Sequence, residues 1–224
     1  MRRTGPSLAF VTLLMTDLDN TLIDRDAGFR TGLLALLADR GAPAGHADWI
    51  MAVDDRGYTP RPVVAEAILD RLDLGLGEGD LIQALLRCSQ DNARLAPETA
   101  AALDRARAAG HRVVIVTNGP VANQTAKIRN AGLDRHVDAA IVSEAVGADK
   151  PEPAIFHAAA AAVDGSLEDA WMIGDRDDAD ILGAHRLGVP SVWLHLGREW
   201  ARADYRPTHT AGSIVEAIDH VVNA

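Results

Sequence analysis

An apolar run interrupted only by Thr12 occupies residues 8–15 and stops at a polar cluster, Asp17-Leu18-Asp19-Asn20-Thr21. A short run without a helical polar face predicts a strand buried on both sides. The pattern then changes to helical spacing at Phe29, Leu33, Leu34, Leu36 and Leu37, and Gly41-Ala42-Pro43 stops that helix. Further helices are predicted over 47–53, 62–72 and 80–94, broken by Gly57-Tyr58-Thr59-Pro60 and by the glycine-rich stretch 74–79. No strand is predicted between 23 and 95. From Pro97 onward the pattern alternates: helices over 98–109, 121–131, 153–163, 179–187 and 213–222, strands over 112–116, 139–142, 170–173 and 191–194. Such alternation predicts an α/β fold with a parallel sheet and helices on both faces. The expected organisation is a core from 1–24 and 96–224, with a helical cap, 25–95, inserted after the first strand.

Composition narrows the function classes. Nearly half of the 224 residues are hydrophobic, which predicts a folded chain. A formal net charge of -10 argues against nucleic acid or an anionic membrane surface as the main partner. No run approaches the length of a membrane span. Arg2-Arg3 before the apolar run imitates a secretion signal, but no small-residue cleavage site follows and the run leads straight to Asp17. The single cysteine, Cys88, rules out an intrachain disulfide and fits a reducing cytoplasm, with a packed helix side chain as its expected role. Lysine occurs only at Lys127 and Lys150, so each position is informative.

The candidate chemistry lies where predicted strands end, the edge at which open α/β sheets bind ligands. Alternation along an extended chain puts Asp17 and Asp19 on one side, with Leu18 facing away. Two carboxylates that close repel unless a cation, a proton or a phosphoryl group separates them. Thr117, Asn118 and Gly119 follow the strand 112–116, and Pro120 suits a first helical position. A hydroxyl and backbone N–H groups at a helix start can hold phosphate oxygens, although such residues commonly serve only as caps. Lys150 precedes Pro151-Glu152-Pro153 near the same edge. Gly174-Asp175 ends the strand 170–173, and Asp180 follows on the next turn or helix. Hard oxygen ligands favour Mg²⁺, and no histidine or cysteine cluster competes for zinc. Asp177 and Asp178 read as a solvated turn with helix-capping value.

These four stretches, in this order, resemble the motifs of the haloacid dehalogenase-like superfamily. The likeness covers 7–23 and 97–194 and implies a Rossmann-like doubly wound core. It further implies a Mg²⁺-dependent phosphatase acting on a small phosphorylated metabolite. Asp17 would be the nucleophile and Asp19 the acid and base. Thr117, with Asn118 beside it, would bind the phosphoryl group, and Lys150 would offset charge. The metal would be held by Asp17, Asp19 through its backbone carbonyl, and Asp175, with Asp180 supporting. Dehalogenases of the superfamily lack the second aspartate, so Asp19 favours phosphate chemistry. A phosphomutase of the β-phosphoglucomutase type would keep all four motifs. A phospho-receiver module shares the sheet, acids, threonine and lysine, but lacks an acidic pair at one strand end. Specificity is expected in the cap, where Arg56 or Arg61 could meet a second anionic group. Structural packing or surface placement is expected for His195, Arg198 and Trp200.

Overall fold

The computed structural model describes residues 13–224, so positions 8–12 of the expected first strand lie outside the described residues. The described chain forms two compact units. One comprises residues 13–22, 96–121 and 134–224; the other comprises Ile23–Leu95 and Ala122–Leu133.

In the first unit, β1 (Leu13–Thr16), β2 (Arg112–Thr117), β3 (Ala139–Val142), β4 (Ala170–Gly174), β5 (Ser191–Leu194) and β6 (His209–Ala211) form one sheet. All pairs are parallel, in the order β3-β2-β1-β4-β5-β6. The chain therefore builds outward from β1 on one side, then returns to build from β4 on the other. The order reverses between β1 and β4, the switch point where ligands enter such sheets. Every residue of β1 is buried, as a strand covered on both faces requires. Leu13, Met15, Val114, Val116 and Met172 pack on Ile155, Phe156 and Ala159 of α8 (Pro153–Ala161). Helices α5 (Pro97–Ala108) and α10 (Ile214–Val222) pack together, α5 against β2 and α10 against β4, β5 and β6.

β6 is absent from the predicted elements. Its three residues, His209-Thr210-Ala211, lie at the sheet edge and are too short and too polar to form an apolar run. The expected helix 179–187 is also different. A single π turn, Asp177–Ile181, precedes a shorter α9 (Leu182–Leu187), because Ile181 N–H reaches back five residues to Arg176 O. A one-turn helix, α7 (Ser143–Val146), follows β3.

The second unit contains α1 (Arg25–Asp39), α2 (His46–Asp54), α3 (Arg61–Leu69), α4 (Glu78–Gln90) and α6 (Val121–Ala131), the last belonging to it from Ala122. Phe29, Leu33, Leu37, Ile50, Ile68, Leu81 and Leu85 form its core. Gly32 lets α1 and α4 approach closely, since a Cβ there would sit 2.5 Å from Cys88 Cα. Cys88 is buried in α4, and burial pushes its thiol pKa up to about 11, which keeps it protonated and unreactive. Ile23 and Leu95 form an isolated antiparallel bridge, the one extended pairing in this stretch.

Candidate active site

β1 ends at Thr16, Asp17 N–H still bonds Ile173 O at 2.9 Å, and a turn follows over residues 20–22. Leu22 N–H bonds Leu18 O at 3.0 Å, and Asn20 takes a left-handed conformation (φ 57°), which asparagine tolerates better than most residues. Asp17 and Asp19 flank Leu18 ahead of this turn. Asp17 is buried, Leu18 is fully buried beneath the turn, and Asp19 is half-buried.

Around Asp17 the folded chain collects what the sequence had scattered. Lys150 Nζ donates to Asp17 Oδ1 at 2.6 Å and to Val116 O at 2.6 Å, and lies 2.7 Å from Asp180 Oδ1. Thr21 Oγ1 donates to Asp17 Oδ2 at 3.4 Å. Asp17, Asp175 and Asp180 each offer a carboxylate oxygen within 4.8 Å of the others, and all three are buried. The Asp19 carboxylate is not part of this triad. Thr117 is buried at the end of β2, paired in register with Val142 of β3.

Asn118 couples two of the stretches directly. Its Nδ2 donates to Lys150 O at 3.0 Å, and Lys150 N–H donates to its Oδ1 at 2.8 Å. The side chain is a clamp on the lysine backbone, and this fixes where Lys150 starts toward Asp17. Gly119 N–H donates to Ser143 Oγ at 3.0 Å, and Val121 N–H to Glu144 Oε2 at 2.7 Å, so α7 anchors the loop after β2.

The electrostatics follow from burial. Desolvation raises the Asp17 pKa to about 6 even though Lys150 opposes it, and the charges of Asp180 and Asp19 add to the rise. For Lys150, burial disfavours the cation, but Asp17 and Asp180 outweigh it and hold the pKa above the usual lysine range. Three buried carboxylates outnumber the two cations that reach them, buried Lys150 and the partly exposed Arg198. Oxygen-only, anionic and lacking sulfur or imidazole, the cluster has the donor chemistry that suits Mg²⁺.

Asp180 is set by the turn that displaced the expected helix. Arg176 N–H donates to Asp180 Oδ2 at 3.0 Å, folding the carboxylate back over Gly174. A Cβ on Gly174 would stand 2.1 Å from that oxygen. Gly174→Ala is therefore expected to push Asp180 off Lys150. Turnover should fall by about 10²-fold, as for a displacement near 1 Å, with a lower melting temperature. Unchanged kinetics would show that Asp180 has room to move.

Asp177 and Asp178 are partly exposed acids in the first turn of the π segment, as a solvated acidic turn requires, but no side-chain cap bond forms at its start. Asp178 accepts from Arg176 Nε and Nη2 at 2.9 and 2.8 Å, and Asp177 pairs with Arg202. Arg198, expected to pack or face solvent, instead reaches this region: its Nη2 lies 2.6 Å from Asp175 O and 3.2 Å from Asp175 Oδ2. The missed signal was the sheet edge itself, since Arg198 follows β5 just as the other site residues follow their strands. His195 accepts from Gly197 N–H at 3.0 Å, and Trp200 packs edge-on against Trp193.

In the second unit, Arg61 is engaged within the protein. Asp54 is fully buried and accepts from Arg25 Nη2 at 2.8 Å, from Arg25 Nη1, from Arg61 Nη1, and from Gly57 N–H at 3.0 Å. Burial would raise its pKa, but the two guanidiniums more than offset this and lower it. Arg25 and Arg61 both lie over the Phe29 ring, 4.6 and 4.5 Å from its centroid. Arg56 Nε lies 3.9 Å from Asp26 Oδ2.

Among known proteins, phosphoserine phosphatase from Thermus thermophilus is 34% identical over 122 residues, which cover 54% of this chain. In that match the chain spans about half of the relative's length, 49%. Phosphoglycolate phosphatase from Caulobacter vibrioides is 31% identical over 204 residues, 86% of this chain and 80% of that protein. Among solved structures, the HAD-hydrolase YfnB from Bacillus subtilis, bound to magnesium, superposes with a TM-score of 0.77 at 23% identity. That superposition covers 96% of this chain and 99% of the other, and is a likeness of fold. The profile of the haloacid dehalogenase-like hydrolases matches residues 11–188, a span that includes every candidate site residue from Asp17 to Asp180. The chain belongs to the haloacid dehalogenase-like hydrolase family.

Proposed function

We propose that the protein hydrolyses a small-molecule phosphomonoester through a phosphorylated Asp17, with Mg²⁺ as its cofactor. The observation that carries this reading is the Asp17 carboxylate, buried at the sheet's switch point with Lys150 on one oxygen and Asp175 and Asp180 beside it. Such a group has little structural use and a clear chemical one. An oxygen of Asp17 attacks phosphorus, the bond to the leaving alkoxide breaks, and the alkoxide takes a proton from Asp19. Asp19 then removes a proton from the water that attacks the aspartyl-phosphate, releasing phosphate and restoring Asp17.

Asp17, the Asp19 backbone carbonyl and Asp175 would hold Mg²⁺, with Asp180 supporting them. Bound there, the ion would neutralise charge on the transferring phosphoryl group. Lys150 adds a fixed cation, already oriented by Asn118 before any substrate arrives. Thr117 binds the phosphoryl oxygens from the end of β2. Selection of the leaving alcohol is assigned to the inserted helical unit, acting as a cap. Among the described residues no helix is long and apolar enough to cross a membrane.

The test is phosphate release from a panel of phosphomonoesters, in Mg²⁺ and in chelator. Release that needs the metal is the expected result, and the preferred ester identifies the substrate. Release undiminished by chelator would overturn the metal assignment. A bisphosphate rearranged without phosphate release would replace hydrolysis with the mutase reaction.

A further inference from the structure

The chain after β5 converges on the loop that carries Asp175. Trp193 Nε1 donates to Asp175 O at 2.9 Å, and Tyr205 OH donates to Asp177 O at 3.2 Å. Arg202 pairs with the Asp177 carboxylate. Trp193 and Tyr205 pack with Ile181 in one apolar cluster, and Trp200 joins it edge-on. Only Arg198 among these touches a carboxylate of the buried triad. Its Nη2 bonds both Asp175 O and Asp175 Oδ2, its Nε donates to His195 O at 3.1 Å, and its guanidinium lies 5.5 Å from the Trp193 ring centroid.

A tight turn aims it there. Arg198 N–H closes the turn on His195 O at 2.8 Å, and Leu196 and Gly197 both have positive φ, 47° and 79°. Leucine rarely adopts such a conformation, so the turn is held by its surroundings and not by local preference. The Arg198 side chain is about one-third exposed, whereas that of Asp175 is almost fully buried (32% and 3%). The arginine thus works from the rim inward, with its charge partly screened by solvent.

We propose that Arg198 is a positioning residue that fixes the orientation of the Asp175 carboxylate for divalent metal binding. This rests on the assignment of Asp175 as a metal ligand made above. One guanidinium nitrogen spans the backbone carbonyl and one side-chain oxygen of the same aspartate. That contact restrains the carboxylate plane, and with it the direction of the other oxygen. Partners of this kind set ligand geometry, and losing one typically weakens metal affinity by about 10–100-fold. Lysine at the same position would keep the charge but has no second donor nitrogen to hold His195 O, the bond that fixes the guanidinium while Nη2 spans Asp175.

Mg²⁺ affinity of the full-length protein, measured by calorimetric titration without substrate, tests the assignment in Arg198→Lys, Arg198→Ala and Asp175→Asn. Arg198→Lys is expected to fold as the wild type and to bind Mg²⁺ about 10-fold more weakly. Arg198→Ala should be at least as impaired, and Asp175→Asn should lose measurable binding. Wild-type affinity in Arg198→Lys, with binding lost in Asp175→Asn, would overturn the positioning role while leaving the ligand assignment standing. Wild-type affinity in Asp175→Asn would remove the ligand assignment and the positioning role with it.

Discussion

Replacing Asp17 with asparagine should abolish turnover while making the metal-free protein more stable above pH 6. The loss of turnover follows from the proposed nucleophile, and a fall of at least about 10⁴-fold is expected. The gain in stability follows from the raised pKa. Between its ordinary value of 3.8 and about 6, Asp17 binds more proton in the folded chain than in the unfolded one. Stability contributed at this position therefore falls as pH rises through that window, and the cost is fully present above it. Asparagine stays neutral, so it escapes that cost. Below pH 4 the two proteins should melt alike, and at pH 7 in chelator the variant should melt several degrees higher. Lys150 keeps Asp180 and Val116 O in the variant, so the substitution does not strand the lysine. Equal melting temperatures at pH 7 would show that Asp17 carries no burial cost; substantial residual turnover would exclude it as the nucleophile.

Lys150→Met is expected to do the opposite, losing activity and stability together. The buried ammonium of this lysine contacts both Asp17 and Asp180. Removing one partner of a buried ion pair costs about 3–5 kcal/mol because the other charges remain unpaired. The deficit should be greatest near neutral pH and shrink as the medium is acidified and the carboxylates take up protons. Because the folded-state pKa of Lys150 is raised above 10.5, its own stabilising charge persists at all pH below that value and is lost only in stronger alkali. Denaturant titrations at pH 5 and pH 7.5 measure both effects. A deficit independent of pH would point to lost packing, not lost charge. Added Mg²⁺ should restore part of the loss at pH 7.5 if the acidic cluster accepts the ion.

The residues of the candidate site were legible in the sequence because chemistry and strand ends coincide. Asp17, Thr117 and Asp175 each follow or finish a buried apolar run, and the fold brings those ends to one edge. What could not be read was how side chains divide their contacts. Asn118 looks like a phosphate ligand in sequence, yet its amide is taken up by the Lys150 backbone. Arg61 looks like an exposed anion receptor, yet Asp54, seven positions earlier, claims it. Arg198 was missed because its partner follows the neighbouring strand, 23 positions earlier, and no local periodicity links them. The π turn escaped for a related reason: Asp180 bends it through bonds to Arg176 N–H and Lys150 that helix propensity does not register. β6 escaped because a three-residue polar edge strand leaves no pattern.

The central place of β1 has a consequence for how the chain is made. This strand is synthesised before both of its neighbours, which begin at Arg112 and Ala170, so one edge waits for the first and the other for the second. Until then the sheet's apolar middle strand has no native partner, while the helices around Phe29 and Leu81 can already fold on local contacts. Synthesis therefore holds a sticky, unpaired segment exposed until both partners have been made, the condition that recruits chaperones and favours aggregation when expression outruns folding.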